Sequence, residues 1–289
     1  MKLVTSVYTL DEIEYLKDSI DYALVAVPHM AVNYKDIDID KAIALLKSLN
    51  KGIILNINRI MHPSDLSSVE TIMTKYKDLD LMFYVSDLGA VAIARKLGIV
   101  NKVIYNPETM ITNYLDLNEY YSLGVNACGL SSEITLKDVK LMNEKNNAKI
   151  FYQVFGRRLM FYSRRHLVSL YETKNEDKYP RGDLYLREAT RKDFLPIIEN
   201  DECTTIYRSY SISLLDKLDE LSFIEYAYLE SLYQEMDKFK RINECFYNVI
   251  VKNESKEEAI KIFNSLEIET EEGFFNKDSV YQKEELKNV

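Results

Sequence analysis

The sequence predicts an α/β fold, a TIM-barrel-like parallel (β/α) barrel that carries a small inserted hairpin and C-terminal helices. Two observations predict it. Short β-branched apolar runs alternate with segments of helical periodicity, the pattern of βα units around a parallel sheet. Seven such runs fall by residue 155, each about 20 to 25 residues after the last, which is the rhythm of a closed barrel rather than an open dinucleotide-binding sheet.

The strands are read at residues 3–8, 22–27, 52–57, 81–85, 102–105, 125–130 and 149–155. Helix start signals lie between them. Thr9-Leu10-Asp11-Glu12 has the form of a capping box, and Ser64 and Ser86 each precede an apolar-periodic stretch. Gly98 and Gly124 stand where such helices end, as left-handed caps do. After residue 155 the rhythm breaks. Residues 156–182 are rich in Arg and Tyr, and 184–198 reads as two short alternating strands, an antiparallel hairpin inserted into the barrel. Helix-then-strand patterning resumes at 209–221 and 223–228. From Glu230 onward a helical pattern with Glu-Lys pairs leads into the acid-rich 269–273, read as a surface helix and a frayed tail. The expected organisation is a barrel-like domain over residues 1–230, with an insertion over 156–200, then C-terminal helices and an acidic tail over 231–289.

Composition supports a globular chain. Its 289 residues are 47% hydrophobic and 29% charged, so there is ample apolar surface to bury. The net charge of -9 opposes non-specific binding of nucleic acid by the whole surface, because counterion release needs a basic face. Any polynucleotide site has to be local. Three widely spaced cysteines, Cys128, Cys203 and Cys245, make neither a disulfide framework nor a zinc ribbon. The first residues lack the long apolar run of a signal peptide, and no stretch approaches the roughly 20 apolar residues that span a bilayer. A cytoplasmic protein with no membrane contact is expected.

Several common sites are absent. There is no G-x-G-x-x-G after a strand, no G-x-x-x-x-G-K-S/T, no H-E-x-x-H and no G-x-S-x-G. With only His29, His62 and His166 present, a hydroxyl or thiol nucleophile has few available bases. In a parallel barrel, function sits on the loops that follow the strands. Here those loops contain Pro28-His29, Asn56 to Arg59, Ser86-Asp87, Asn106-Pro107-Glu108, Ser131-Ser132-Glu133 and Gly156-Arg157-Arg158. Any one of Ser86, Ser131 and Ser132 alone reads as a helix cap with a first-turn acid beside it; the set together reads as a ligand cleft.

The densest feature is the run from Phe155 to Leu167, where Arg157, Arg158, Arg164, Arg165 and His166 interleave with aromatics. Such a segment can grip a carboxylate or phosphate bidentately and stack on a ring, with Arg181, Arg187 and Arg191 extending the patch. The alternative is a solvated helix whose arginines pair with Glu172, Glu176, Asp177 or Glu188. Like charges side by side at 157/158 and 164/165 are costly unless an anion answers them.

Val154-Phe155-Gly156-Arg157-Arg158-Leu159-Met160, followed by Ser163-Arg164-Arg165 and preceded by Leu130-Ser131-Ser132-Glu133-Ile134-Thr135, resembles peptidase family U32, the collagenase-like proteins. Ser86-Asp87-Leu88-Gly89, Arg187-Glu188, Pro196-Ile197 and Asp201-Glu202-Cys203-Thr204-Thr205 match in the same order, across most of residues 50–230. The resemblance implies a barrel-like α/β fold. It also implies one of two activities: the peptidase activity of the family name, or oxygen-independent or prephenate-dependent hydroxylation of tRNA wobble uridine, ribosomal RNA or ubiquinone precursors. Several members carry an iron-sulfur cluster on cysteines. This chain departs there, reading Arg165-His166-Leu167 where such members place a cysteine, and three cysteines are too few for four thiolate ligands.

The chain therefore resembles the short form of the family, like the smaller of two adjacent paralogues linked to tRNA uridine hydroxylation. The resemblance implies a cluster-free partner of a larger paralogue, with tRNA contacted through the Arg-rich patch, prephenate as co-substrate and no cofactor in this chain. Two other functions stay open: a peptidase using Asp87 and Glu133 to activate water, and a non-catalytic scaffold. The residues expected at the site are Arg157, Arg158, Arg164 and Arg165 as anion-binding groups, Glu133 and Asp87 as acids at the mouth, with Asn58 and His166 beside them.

Overall fold

The computed structural model describes residues 1–176, 178–179, 184–190 and 192–276. Its first half is a run of βα units: β1 (Lys2–Val7), α1 (Leu10–Leu16), β2 (Tyr22–Ala26), α2 (Ile39–Ser48), β3 (Gly52–Ile57) and α3 (Leu66–Tyr76). It continues through β4 (Met82–Val85), α4 (Leu88–Lys96), β5 (Val103–Tyr105), α5 (Tyr114–Ser122), β6 (Ala127–Gly129) and α6 (Leu136–Glu144) to β7 (Ile150–Ser163). After α7 (Leu167–Asn175) come three strands, β8 (Leu184–Leu186), β9 (Leu195–Glu199) and β10 (Thr204–Ser213). Then β11 (Tyr226–Leu229) pairs in parallel with both β1 and β7 and closes an eight-stranded parallel barrel. The chain returns through α8 (Met236–Ile250), α9 (Lys256–Asn264) and β12 (Thr270–Glu271). Among the described residues no helix is long and apolar enough to cross a membrane.

All seven early strands and the eighth at 223–228 fall where the hydrophobic pattern predicts, because strands buried on both faces read as continuous apolar runs. Outward residues such as Leu3, Val25, Leu55, Phe83 and Val103 pack under the helices. Inward residues Val4, Leu24, Ile54, Ile104, Phe151 and Tyr226 fill the lower barrel as one apolar layer. Gly98 and Gly124 take left-handed φ values of 73° and 92° just past α4 and α5, as expected of caps.

Four local expectations are corrected. Thr9 does cap α1, but Glu12 reaches one residue further back and accepts from the Tyr8 N–H at 2.6 Å rather than from Thr9. Asp65 and Asp87, not Ser64 and Ser86, occupy the N-cap positions of α3 and α4. The Arg-rich run is neither a break nor a helix up to Ser163: β7 continues for 14 residues out of the barrel, and only then does α7 begin. Residues 209–221, expected as helix, hold the end of β10 and a short 3-10 turn at Leu215–Lys217. The alternation Thr204-Thr205-Ile206-Tyr207 suits a strand paired on both sides, antiparallel to β7 and β9.

The predicted hairpin at 184–198 is present as antiparallel β8 and β9, and with β10 it extends the outer half of β7 into a sheet beside the barrel mouth. The C-terminal segment is more than surface. Phe239 and Phe246 of α8 and Phe263 of α9 surround Phe155 at centroid distances of 6.3, 6.1 and 6.1 Å. Buried Asn243 of α8 accepts from Thr5 Oγ1 at 2.7 Å and donates to the Ser19 carbonyl at 2.7 Å. Where a frayed tail was expected at 269–273, Thr270 and Glu271 pair in parallel with Ser211 and Ile212. The tail beyond residue 276, together with Asp177, Arg181 and Arg191, lies outside the described residues.

Gly156 is where β7 leaves the ring. Its φ of 103° is in the left-handed region, and a Cβ there would meet the Glu230 carbonyl at 2.5 Å. Gly156→Ala is expected to lower unfolding free energy by about 1–3 kcal/mol, read from the urea midpoint. An unchanged midpoint would contradict the close approach of β7 to the residue after β11.

Candidate functional site

One step up from the apolar layer, the inward row of the strands turns polar. Val4 is followed by Ser6, Ile54 by Asn56, Ile104 by Asn106, Phe151 by Gln153, and Tyr228 by Glu230. Two more residues along lie Tyr8, Asn58 and Glu108, all lining one cavity of about 60 Å³ at the C-terminal ends of the strands. That place, at the C-terminal ends of the strands, is where barrels carry their sites. Gly129 makes room on β6, since a Cβ there would overlap the Asn106 side chain at 2.3 Å.

The two carboxylates in the cavity differ in their surroundings. Glu230 accepts from Ser6 Oγ, Tyr8 OH and the Leu232 N–H, each at 2.9 Å, and from Tyr228 OH at 2.5 Å. It is held on both oxygens. Glu108, at a left-handed φ of 60°, has one long contact, from Tyr84 OH at 3.5 Å, and that hydroxyl is itself held by Asn106 Nδ2 at 2.6 Å. Glu108 as a residue is half-buried, but its carboxylate is enclosed by protein, and the carboxylate is what titrates. Burial pushes its pKa up to about 7; Tyr84 and Arg158 oppose the rise and Glu230 adds to it. Burial also raises the hydroxyls of Tyr8, Tyr84, Tyr207 and Tyr228 well above the usual phenol value, so they remain donors.

Two arginines face the same space. Arg158 is 6% exposed; it donates to the Ser132 carbonyl at 2.6 Å and to Tyr152 OH at 3.2 Å. Arg157 donates to the Arg208 carbonyl at 3.1 Å and lies over the Tyr233 ring at 5.5 Å. Burial lowers its pKa. Neither guanidinium forms an ion pair with a carboxylate among the described residues, and both Nε atoms are buried without a protein partner, as are Asn33 Oδ1 and Asn56 Oδ1. Buried polar atoms of this kind call for a ligand or water.

The other expected residues lie elsewhere. Arg164 pairs with Asp65 Oδ2 at 2.6 Å, and Asp65 also binds Arg59, which bonds Glu202. This network ties the mouth loop after β3 to the inserted sheet. Arg165 is exposed, and exposed His166 contacts the Asp201 carbonyl at 3.1 Å; neither lines the cavity. Asp87 accepts from the Gly89 and Met61 N–H groups at 2.7 and 3.1 Å and faces a neighbouring groove. Glu133 is exposed outside the cavity. Asn58 lines both cavity and groove while accepting from the Val32 N–H at 2.9 Å. Of the acids expected to pair with the arginines, none holds Arg157, Arg158 or Arg164 among the described residues.

Sequence reasoning singles out neither Glu108 nor Glu230. Glu108 stands in a mouth loop, and stepping by two from Ile104 reaches it. Glu230 continues the same step from Tyr226 and Tyr228, but locally it reads as the start of a helix.

The fold is thus an α/β barrel with a polar, cation-bearing cavity at its mouth. The chain belongs to peptidase family U32, whose family model it matches over residues 26–284. It is 24% identical over 266 residues to the tRNA hydroxylation protein P2 of Bacillus subtilis, covering 84% of this chain and 85% of that protein. Among solved structures it is similar to the orotidine 5'-phosphate decarboxylase of Thermotoga maritima, 20% identical with a TM-score of 0.37 over 53% of this chain and 78% of that one. It is also similar to the spore cortex-lytic enzyme SleL of Bacillus megaterium, 8% identical with a TM-score of 0.40 over 79% and 69%. These structural likenesses are too loose to bear on function.

A carboxyl with a folded pKa above its unfolded value favours folding at low pH, and that contribution is lost as pH rises through the folded value, here from about 4.5 to about 7. Glu108→Gln, which keeps the neutral form at all pH, is therefore expected to raise the melting temperature at pH about 8 and to leave it nearly unchanged at pH about 5. Thermal melts across that range check this; a variant less stable at pH 8 would contradict the enclosed carboxylate.

Proposed function

We propose that this chain takes part in 5-hydroxylation of wobble uridine in tRNA, as the cluster-free partner of a larger family member. The observation that carries this reading is the likeness, along 84% of the chain, to a protein named for tRNA hydroxylation. The cavity supports it. Arg157 and Arg158 provide cationic groups without a carboxylate partner among the described residues, suited to a phosphate or to a small carboxylate such as prephenate.

The cysteines argue for placing the redox group on the partner. Cys128, Cys203 and Cys245 lie buried in β6, just before β10 and in α8, and burial pushes their thiols up to about 12, 11 and 11. Cluster ligation needs four clustered thiolates, which these residues do not fit. With a net charge of -9, tRNA contact falls to local groups at the mouth, such as exposed Arg165 and His166, or to the partner. The peptidase reading has less support: Asp87 is engaged by backbone N–H groups, and Glu133 stands outside the cavity.

Deleting the gene is expected to remove 5-hydroxyuridine and its derivatives from tRNA hydrolysates read by mass spectrometry. Unchanged nucleosides would eliminate the reading. Restoring the gene as Arg157→Gln is expected to return less than about a tenth of the modification, the effect of losing a charge-assisted contact of roughly 1.5–3 kcal/mol. Full restoration would remove Arg157 from the site.

A further inference from the structure

Of the two carboxylates in the cavity, only one is available to a ligand. Glu230 already receives Ser6, Tyr8, Tyr228 and the Leu232 N–H, which fill both its oxygens. Glu108 has the single distant Tyr84 hydroxyl. Its location is also distinctive. Val32, Asn58, Glu108 and Leu159 line both the cavity and the adjoining groove, so Glu108 stands at the neck between the two. The groove is apolar, with Ile60, Leu88, Met110, Met160 and Phe161 exposed by 41–61%. A planar, uncharged ring suits those side chains, and its polar edge would then meet the neck.

We infer that Glu108 is a ligand-contacting specificity residue: its carboxylate accepts a hydrogen bond from an N–H or O–H group of a molecule whose anionic group is held by Arg157 and Arg158. The ligand class is an anion carrying a neutral ring with a donor edge, and a uracil nucleotide has both. A base extruded from the anticodon loop would present the same edge. The choice of uracil rests on the tRNA reading above. The charged and titratable groups facing Glu108 are Tyr84 from β4, Arg158 from β7 and Glu230 after β11. Tyr84 stays protonated through neutrality, so Glu108 is the group whose acceptor strength changes near pH 7.

The test is calorimetric titration of the full chain with uridine 5'-monophosphate and with its N3-methyl derivative, which lacks the imide N–H. At pH about 8 the parent nucleotide is expected to bind about tenfold more tightly or better, since the methylated one leaves a buried acceptor unpaired. The ratio should shrink at pH about 6, where Glu108 carries a proton, and vanish in Glu108→Leu, which removes the acceptor. Comparing the two nucleotides at one pH cancels titration of the phosphate. Equal affinities at pH 8, a ratio that persists in Glu108→Leu, or no binding of uridine 5'-monophosphate at millimolar concentration would each overturn the inference. Discrimination by the N3 group does not depend on the gene-deletion result, so this inference and the functional reading can fail separately.

Discussion

The inward face of this barrel changes character within one pleat. At one level Val4, Ile54, Ile104 and Phe151 meet on the axis; two residues further along the same strands Ser6, Asn56, Asn106 and Gln153 point to the same axis. The lower layer is close-packed and apolar, so it fixes where the ring sits and how far the strands slide past one another. The upper layer inherits that precision. Polar side chains that would move freely on loops project instead from rigid strand ends, at a cost in desolvation that the apolar layer and outer helices have to offset.

That cost falls unevenly, and the unevenness points to function. Glu230 is surrounded by donors and acts as a strut joining β1, β11 and the following turn. The Glu108 carboxylate and the Arg157 guanidinium have one hydrogen bond each, and Arg158, held by neutral acceptors, has no carboxylate partner among the described residues. A fold selected for stability alone would pair such groups or replace them with apolar ones, because a buried polar group without a partner is destabilising by about 1–3 kcal/mol. Ion pairing is plainly accessible to this chain at the same mouth, where Arg59, Asp65, Glu202 and Arg164 form a connected network that straps the inserted sheet down. Arginines close together in sequence thus have different tasks: Arg164 secures the insertion, and Arg157 and Arg158 face the cavity.

The barrel is legible in the sequence because parallel strands covered on both faces leave a simple trace, short β-branched runs at regular spacing. Even the inserted hairpin can be read from its alternation. The outer half of β7 is harder. Its eight residues from Gly156 to Ser163 mix Arg, aromatic and aliphatic side chains with no clean period, because Arg157, Arg158 and Leu159 in succession all line the cavity and the pairing with β10 is irregular. Tertiary pairing with β10, not local preference, makes that segment a strand. β10 itself reads as helix in its second part, where small and polar residues give way to the apolar Leu214 and Leu215 of the adjoining turn.

The site is legible as a place and less so as a set of residues. Mouth loops are the right place to look, and Arg157, Arg158 and Asn58 are there. Glu230 is hidden because the strand before it is four residues long and the segment after it is helical, so its membership in the inward row emerges only once β11 is seen to close the ring. Pairing partners are invisible in one dimension: nothing at Asp65 announces that it neutralises Arg164, 99 residues away. The most direct test of a ligand cavity is an experimental structure of the protein crystallised as isolated from its native cells. An anionic molecule in the barrel mouth, with an oxygen within hydrogen-bond distance of Arg157 or Arg158, is the predicted result. Guanidinium groups paired instead with Glu108 or Glu230, in a mouth closed by side chains, would contradict it.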